Sequence, residues 1–267
     1  MSTADPVAAL LSEADQLLAE AARRDLALRL AGSAGILRHC DACRAASAAL
    51  ARERPADLDF FAYRKQHTAL GRMFTDLGYQ ADPAVAFSQE YGIDRLIYLG
   101  CRAATKIDVF LDALRMSHTI EFGGRLGTDG PSAAAADLLL AKLQIHQVTE
   151  KDLKDIATLL AAHPVGEEPG AIEAGHVLAR LSRDWGLSHT ATGNLSLAAR
   201  LLPEWPAAGP VARQAAGRID DLQRRIEAAP KSVRWRARAS VGTRVRWYEE
   251  VGDADQQGQG DAGIAEG

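Results

Sequence analysis

Apolar residues at Val7, Leu10, Leu11, Ala14, Leu17, Leu18 and Ala21 recur every three or four positions behind Asp5-Pro6. That spacing predicts an amphipathic helix opening on an aspartate cap and a first-turn proline. The pattern then shortens. LALRLAGSAG, from Leu26, alternates over a few residues and breaks at Gly32-Ser33, followed by Ala-rich sequence to about Leu50, so it reads as strand, tight turn and helix. DLDFFA, from Asp57, is a second strand, and HTALGRMFTDLGY, from His67, is a helix ending near Gly78. RLIYLG, from Arg95, and KIDVFLD, from Lys106, read as a hairpin.

Beyond about Pro131 the periodicity is helical only, with expected helices over residues 133–148, 150–162, 171–185, 189–202 and 211–228, punctuated by Pro164, Gly170, Gly186 and the prolines at 203, 206 and 210. Thr149 and Asp152 form an approximate capping box for the second of these. The segment KSVRWRARASVGTRVRWYEE, residues 231–250, alternates with period two around Gly242 and predicts a terminal two-stranded ribbon. No convincing internal repeat appears.

Composition changes this picture little: 47% hydrophobic and 25% charged residues are the values of an ordinary globular chain. An N-terminus without a basic start before an apolar run, and the lack of an apolar stretch of about 18 residues, lead to the expectation of a cytoplasmic protein with no membrane partner. Three cysteines argue against a disulfide framework. The net charge of −4 is carried by the tail, where Asp253, Asp255, Asp261 and Glu266 stand without a Lys or Arg. That tail, rich in Gly and Gln, is expected to be disordered.

The chemistry concentrates on the strands. Successive side chains of a strand face opposite ways, so Asp57 and Asp59 share one face while Leu58 and Phe60 take the other. Two carboxylates held side by side repel one another and call for a cation. Asp108, between Ile107 and Val109, is a third acid of the same kind. Three strand-borne acids suit two divalent ions, Mg²⁺ or Mn²⁺, set against a nucleoside triphosphate (NTP). Upstream, Gly32 permits close backbone approach at a strand-to-helix turn, the helix N-terminus offers free amides to an anion, and the Ser33 hydroxyl stands beside them.

Gly32-Ser33 after the first strand, Asp57-x-Asp59 on the second and Asp108 on a later one together resemble the nucleotidyltransferase superfamily that includes DNA polymerase beta. ADLLLAKLQIHQVTEKDLKDIATLL further resembles the AbiEii-type nucleotidyltransferase toxins, with Lys142 on one helix and Lys151, Asp152 and Asp155 on the next. The likeness covers roughly residues 26–160. It implies transfer of a nucleoside monophosphate from an NTP to a hydroxyl, with release of pyrophosphate. The implied metal ligands are Asp57, Asp59 and Asp108, and Gly32, Ser33, Lys142, Lys151, Asp152 and Asp155 would bind the nucleotide. RNA, including tRNA ends, is the implied acceptor, and for a toxin a separate antitoxin is the implied partner. Asp57 follows Ser33 by 24 positions, more than in the family. Either the intervening HCDACRAASAALARER lengthens the helix, or the Gly-Ser pair is misaligned.

The expected fold is therefore α+β: a nucleotidyltransferase-like mixed sheet flanked by helices in residues 1–130, a helical region in 131–230, a basic β-ribbon in 231–251 and an acidic tail in 252–267. On the ribbon, Arg234, Arg236, Arg238, Arg244 and Arg246 would meet RNA phosphates, with Trp235 or Trp247 stacking on bases. The alternative is an Arg face that is merely solvated. Three further alternatives stay open. The fold could bind NTP and RNA without turnover. The Asp-x-Asp could belong to a glycosyltransferase, which gives Asp108 no role. HCDAC, with His39, Cys40 and Cys43, could bind zinc, although only Cys101 remains as a remote thiol and a structural site wants four ligands, which favours free helical cysteines.

Overall fold

The computed structural model describes residues 5–82, 95–99, 101–127, 130–205 and 209–250. The acidic tail and residues 83–94 lie outside them. Two units are distinguished. Met1–Cys40, Arg54–Leu114 and Glu121–Ala134 make the first; Asp41–Glu53, Arg115–Ile120 and the chain from Ala135 onward make the second.

In the first unit, helix α1 (Pro6–Arg23) starts where the Asp5 carboxylate accepts the Val7 amide at 3.1 Å, and one face buries Leu10, Ala14, Leu17 and Ala21. Strand β1 (Leu28–Ala31) runs directly into helix α2 (Gly32–His39). Helix α3 (Asp41–Ala49) belongs to the second unit. Strand β2 (Leu58–Ala62), helix α4 (His67–Asp76) and strands β3 (Gln80–Ala81), β4 (Arg95–Leu99) and β5 (Lys106–Leu111) complete the layer. Two three-residue strands follow, β6 (Ala113–Arg115) and β7 (Thr119–Glu121).

The sheet order is β1-β2-β5-β4-β3. β2 pairs parallel with β5, and the other neighbours are antiparallel. The outer edge of β1 is taken up by residues 131–133, where the Leu30 amide donates to the Pro131 carbonyl and the Ala133 amide to that of Leu30, both at 2.9 Å. Leu28, Leu30, Leu58, Phe60, Ala62, Ile107, Val109 and Leu111 form one sheet face and pack with α1 and with Leu70, Met73 and Phe74 of α4 into the core. Each of these side chains larger than alanine contributes about 1.5–3 kcal/mol by leaving water. Because side chains alternate, burying this face sends Asp59, Asp108 and Arg95 to the other one.

The second unit is helical. Helices α5 (Ala135–Leu143), α6 (Glu150–Ala162), α7 (Ala174–Leu181), α8 (Trp185–Leu201) and α9 (Gly209–Ala228) follow one another, with β8 (Val165–Gly166) pairing parallel with β9 (Ile172–Glu173) between α6 and α7. α6 begins in the capping box expected from Thr149 and Asp152. Its last carbonyls, Leu160 and Ala161, accept from the Arg218 guanidinium at 2.9 and 2.7 Å. Those at the end of α5 are met in the same way, the Asn194 amide donating to Leu143 and Ile145. Such partners supply what a helix end cannot provide itself.

Two expectations need correction. Ala-rich residues 32–50 form two helices, broken at Cys40, whose backbone is extended. The terminal β-ribbon is a helix, α10 (Val233–Val241). Ser232 caps it by accepting the Trp235 amide at 3.0 Å, and Gly242, with φ of 62°, ends it. These start and stop signals, with helix-favouring Arg and Ala between them, outweigh a period-two pattern, since an isolated two-stranded ribbon is marginal in water. Lesser shifts occur at α5, which is shorter than expected, at β9, which occupies the expected start of α7, and at α8, which begins early on the Asp184 cap.

Candidate active site

The site is set by register. Asp59 stands directly beside Asp108 across the parallel β2–β5 pair, and Ala31, the residue before Gly32, stands beside Asp59 across β1. Asp57 precedes β2 on the same side, held where the Thr105 amide donates to the Ala56 carbonyl at 2.8 Å and the Lys106 amide reaches the Asp57 carboxylate. All three acids therefore converge on one face at one end of the two central strands.

Gly32 lies against this group. Its φ of 57° is in the left-handed region, and a Cβ added to it would collide with the Asp59 carboxylate. Only glycine fills that turn without strain. The first turn of α2 thus opens next to Asp59, its N-cap residue Ala31 making no side-chain cap, and Ser33 follows, half-buried.

Electrostatics separate the three acids. Asp108 is 3% exposed. The Arg95 fork donates to both of its oxygens, at 3.1 and 2.8 Å, and the Lys106 ammonium stands 3.0 Å away. Arg95 also lies over the Phe110 ring at 4.9 Å. Half-buried Asp57 has its pKa raised, first by burial and further by the Asp108 charge, against the opposing pull of Lys106. Three carboxylates share this face, Asp108 already held by Arg95 and Lys106 and the space beside Gly32 taken by the Asp59 carboxylate; hard oxygen donors of this kind suit a divalent cation.

Of the nucleotide residues expected from the helical region, Lys142, Asp152 and Asp155 come together inside the second unit. The Lys142 ammonium is 2.8 Å from Asp152 and 3.0 Å from Asp155, and Arg52 grips Asp155 at 2.9 and 3.1 Å. Burial opposes the Lys142 charge, yet the two carboxylates outweigh it and raise its pKa. Lys151 faces Glu53 at 2.8 Å on the surface. No known family model matches this chain, and no curated protein matches it.

In the C-terminal segment, Arg234, Arg236, Arg244 and Arg246 are exposed. Arg246 pairs with Glu250 at 2.8 Å. Arg238 is turned inward, stacking on Trp185 at 4.7 Å and donating to the Gly242 and Val245 carbonyls. Trp247 donates to the Thr190 hydroxyl at 3.1 Å and packs among Trp185, His146 and His189, so its ring is committed within the protein. Among the described residues no cysteine is in a disulfide. Cys43 sits 3.4 Å from His163, and His39 is held by Ser132 at 2.8 Å. Among the described residues no helix is long and apolar enough to cross a membrane.

Sequence reasoning missed Arg95, Lys106 and Arg52. Lys106 was within reach, being two residues before Asp108 on the same strand and so on the same face. Arg95 needs the β4–β5 register, and Arg52, 103 positions from its partner, carries no local signal.

Proposed function

We propose that the protein is a metal-dependent nucleotidyltransferase that moves a nucleoside monophosphate from an NTP to a hydroxyl, with RNA or tRNA as acceptor, in the manner of a toxin whose antitoxin is a separate chain. The observation that carries this is the placement of Asp59 beside Asp108 with the Gly32 turn against Asp59. Asp57, Asp59 and Asp108 would hold Mg²⁺ or Mn²⁺, which when bound supplies charge neutralisation at the phosphates and activation of the acceptor hydroxyl.

The chain's own contributions follow from geometry. Gly32 makes room for the Asp59 carboxylate at the start of α2, and the N-terminal end of α2 would favour the triphosphate's negative charge. Lys106 adds a fixed positive charge on the same face. The acceptor oxygen bonds to the α-phosphorus as the bond to the β-phosphate bridge breaks, and pyrophosphate leaves. Arg234, Arg236, Arg244 and Arg246 are exposed and would meet RNA phosphates, Arg246 by leaving its pair with Glu250.

A second reading, an NTP- and RNA-binding protein without turnover, is favoured by one observation: Asp108 is already paired with Arg95 and Lys106. Incubation with each α-labelled NTP, Mg²⁺ and total tRNA separates the two. Label transfer that disappears in Asp57→Ala supports the enzyme; NTP binding without any transfer supports the binder and ends the catalytic proposal.

A further inference from the structure

A carboxylate buried as deeply as Asp108 is retained in charged form only with a cation beside it. Here the cation is supplied by the protein. Arg95 gives a two-pronged contact, the geometry in which guanidinium and carboxylate bind most strongly. A divalent ion that takes Asp108 as a ligand therefore competes with Arg95, which holds both oxygens, as well as with the Lys106 ammonium 3.0 Å from one of them.

Arg95 is placed to survive that displacement. It stands opposite Phe110 across β4–β5, and its guanidinium already rests over the Phe110 ring. The ring face would keep holding the cation once the carboxylate lets go. The released guanidinium would keep its five donors on the side of the sheet where the acids and the Gly32 turn lie. The phosphate oxygens of an arriving nucleotide match that fork.

We infer that Arg95 is an exchangeable counter-cation, neutralising Asp108 before a divalent ion binds and passing to the nucleotide's phosphates afterwards. This rests on the metal and NTP reading of the site given above. It makes Arg95 a positioning residue that couples the two ligands, weakening the affinity for metal alone and strengthening the affinity for nucleotide with metal.

The consequence is a pair of effects of opposite sign, which a purely structural role would not give. In the full chain, Mn²⁺ binding is titrated by calorimetry and by electron paramagnetic resonance for wild type, Arg95→Gln, Arg95→Lys and the double variant Arg95→Gln/Asp108→Asn. Non-hydrolysable analogues of the four NTPs are then titrated at saturating Mn²⁺. Arg95→Gln should bind Mn²⁺ about tenfold to a hundredfold more tightly, the range expected for removing a competing charged hydrogen-bond pair. Its affinity for the nucleotide analogue should fall about tenfold. The double variant should lose the Mn²⁺ gain. If circular dichroism shows that Arg95→Gln does not fold, Arg95→Lys carries the test: it keeps the charge without the fork and should shift both affinities the same way by less. Wild-type Mn²⁺ binding that is unchanged or weakened in the Arg95 variants overturns the inference and leaves the proposed function standing. No Mn²⁺ binding in any of the four proteins overturns both.

Discussion

The loop that delivers Lys106 and Asp108 to the site is pinned by a carboxylate from a different element, and removing that carboxylate should be costly in a pH-dependent way. Glu13 of α1 is 3% exposed. Its oxygens accept from the amides of Ala103 and Ala104 at 2.8 Å, from the Arg102 amide at 3.1 Å and from the Tyr79 hydroxyl at 2.8 Å. Glu13→Gln puts an amide group, itself a donor, against four donors and removes the charge they solvate. Hydrogen bonds to a charged group contribute about 1.5–3 kcal/mol each and do not add fully, so a loss on the order of 3–4 kcal/mol is expected at pH 7. Burial by itself would raise the Glu13 pKa; the Ala104 and Ala103 amides, the Tyr79 hydroxyl and the Arg102 amide overcome it, and the pKa is lowered below the ordinary 4.5. A group whose folded pKa is depressed stabilises fully above its unfolded value and loses that contribution as pH falls through the folded one. Urea unfolding of wild type and Glu13→Gln from pH 7 down to pH 3 should therefore show a large gap that holds to about 4.5 and narrows below it. A gap independent of pH, or a variant as stable as wild type, would refute the assignment of Glu13 as a charged anchor.

Gly32→Ala should cost about 1–2 kcal/mol for the left-handed backbone alone and abolish label transfer by pushing the Asp59 carboxylate aside; thermal melts alongside the transfer assay check it, and a stable variant with full transfer would contradict it. Lys142→Met should destabilise by about 3–5 kcal/mol, because Asp152 and Asp155 stay buried with less positive charge beside them. Adding Asp152→Asn should recover part of that loss in a double-mutant cycle, and because the folded Lys142 pKa is raised, its contribution should persist below pH 10.5 and fade only at more alkaline pH.

Much of the sheet was legible because alternation fixes faces. Leu58, Phe60, Ile107 and Val109 had to turn one way, which left Asp57, Asp59 and Asp108 no choice but the other. What alternation cannot supply is which strands become neighbours. Asp59 meets Asp108 because β2 and β5 pair in parallel at that register, a fact about the whole sheet. The same gap hid Arg95. Where two local signals disagreed, at residues 231–250, the choice was decidable in principle: Ser232 and Gly242 are helix punctuation, and a lone ribbon has nothing to bury. The Thr149–Asp152 box, by contrast, is local, and it was legible for that reason.

The two ionic clusters meet the cost of buried charge in different ways, and the difference bears on where a ligand can act. In the second unit, Lys142 and Arg52 face Asp152 and Asp155 at hydrogen-bond distance, and the Lys142 pKa is held up, so the charges there satisfy one another. A nucleotide phosphate would have to break that network, losing about as much as it gained. On the sheet, Asp108 is neutralised by borrowed cations while Asp57 is pressed toward its proton by burial and by Asp108 itself, although Lys106 lies close. On the proposed reading, a divalent cation there would offset the burial that raises the Asp57 pKa and take the place of the Arg95 guanidinium at Asp108. Lys142, Asp152 and Asp155 are thus charge-matched within their own unit, whereas Asp108 on the sheet owes its compensation to Arg95 and Lys106, which on the proposed reading a divalent cation would replace.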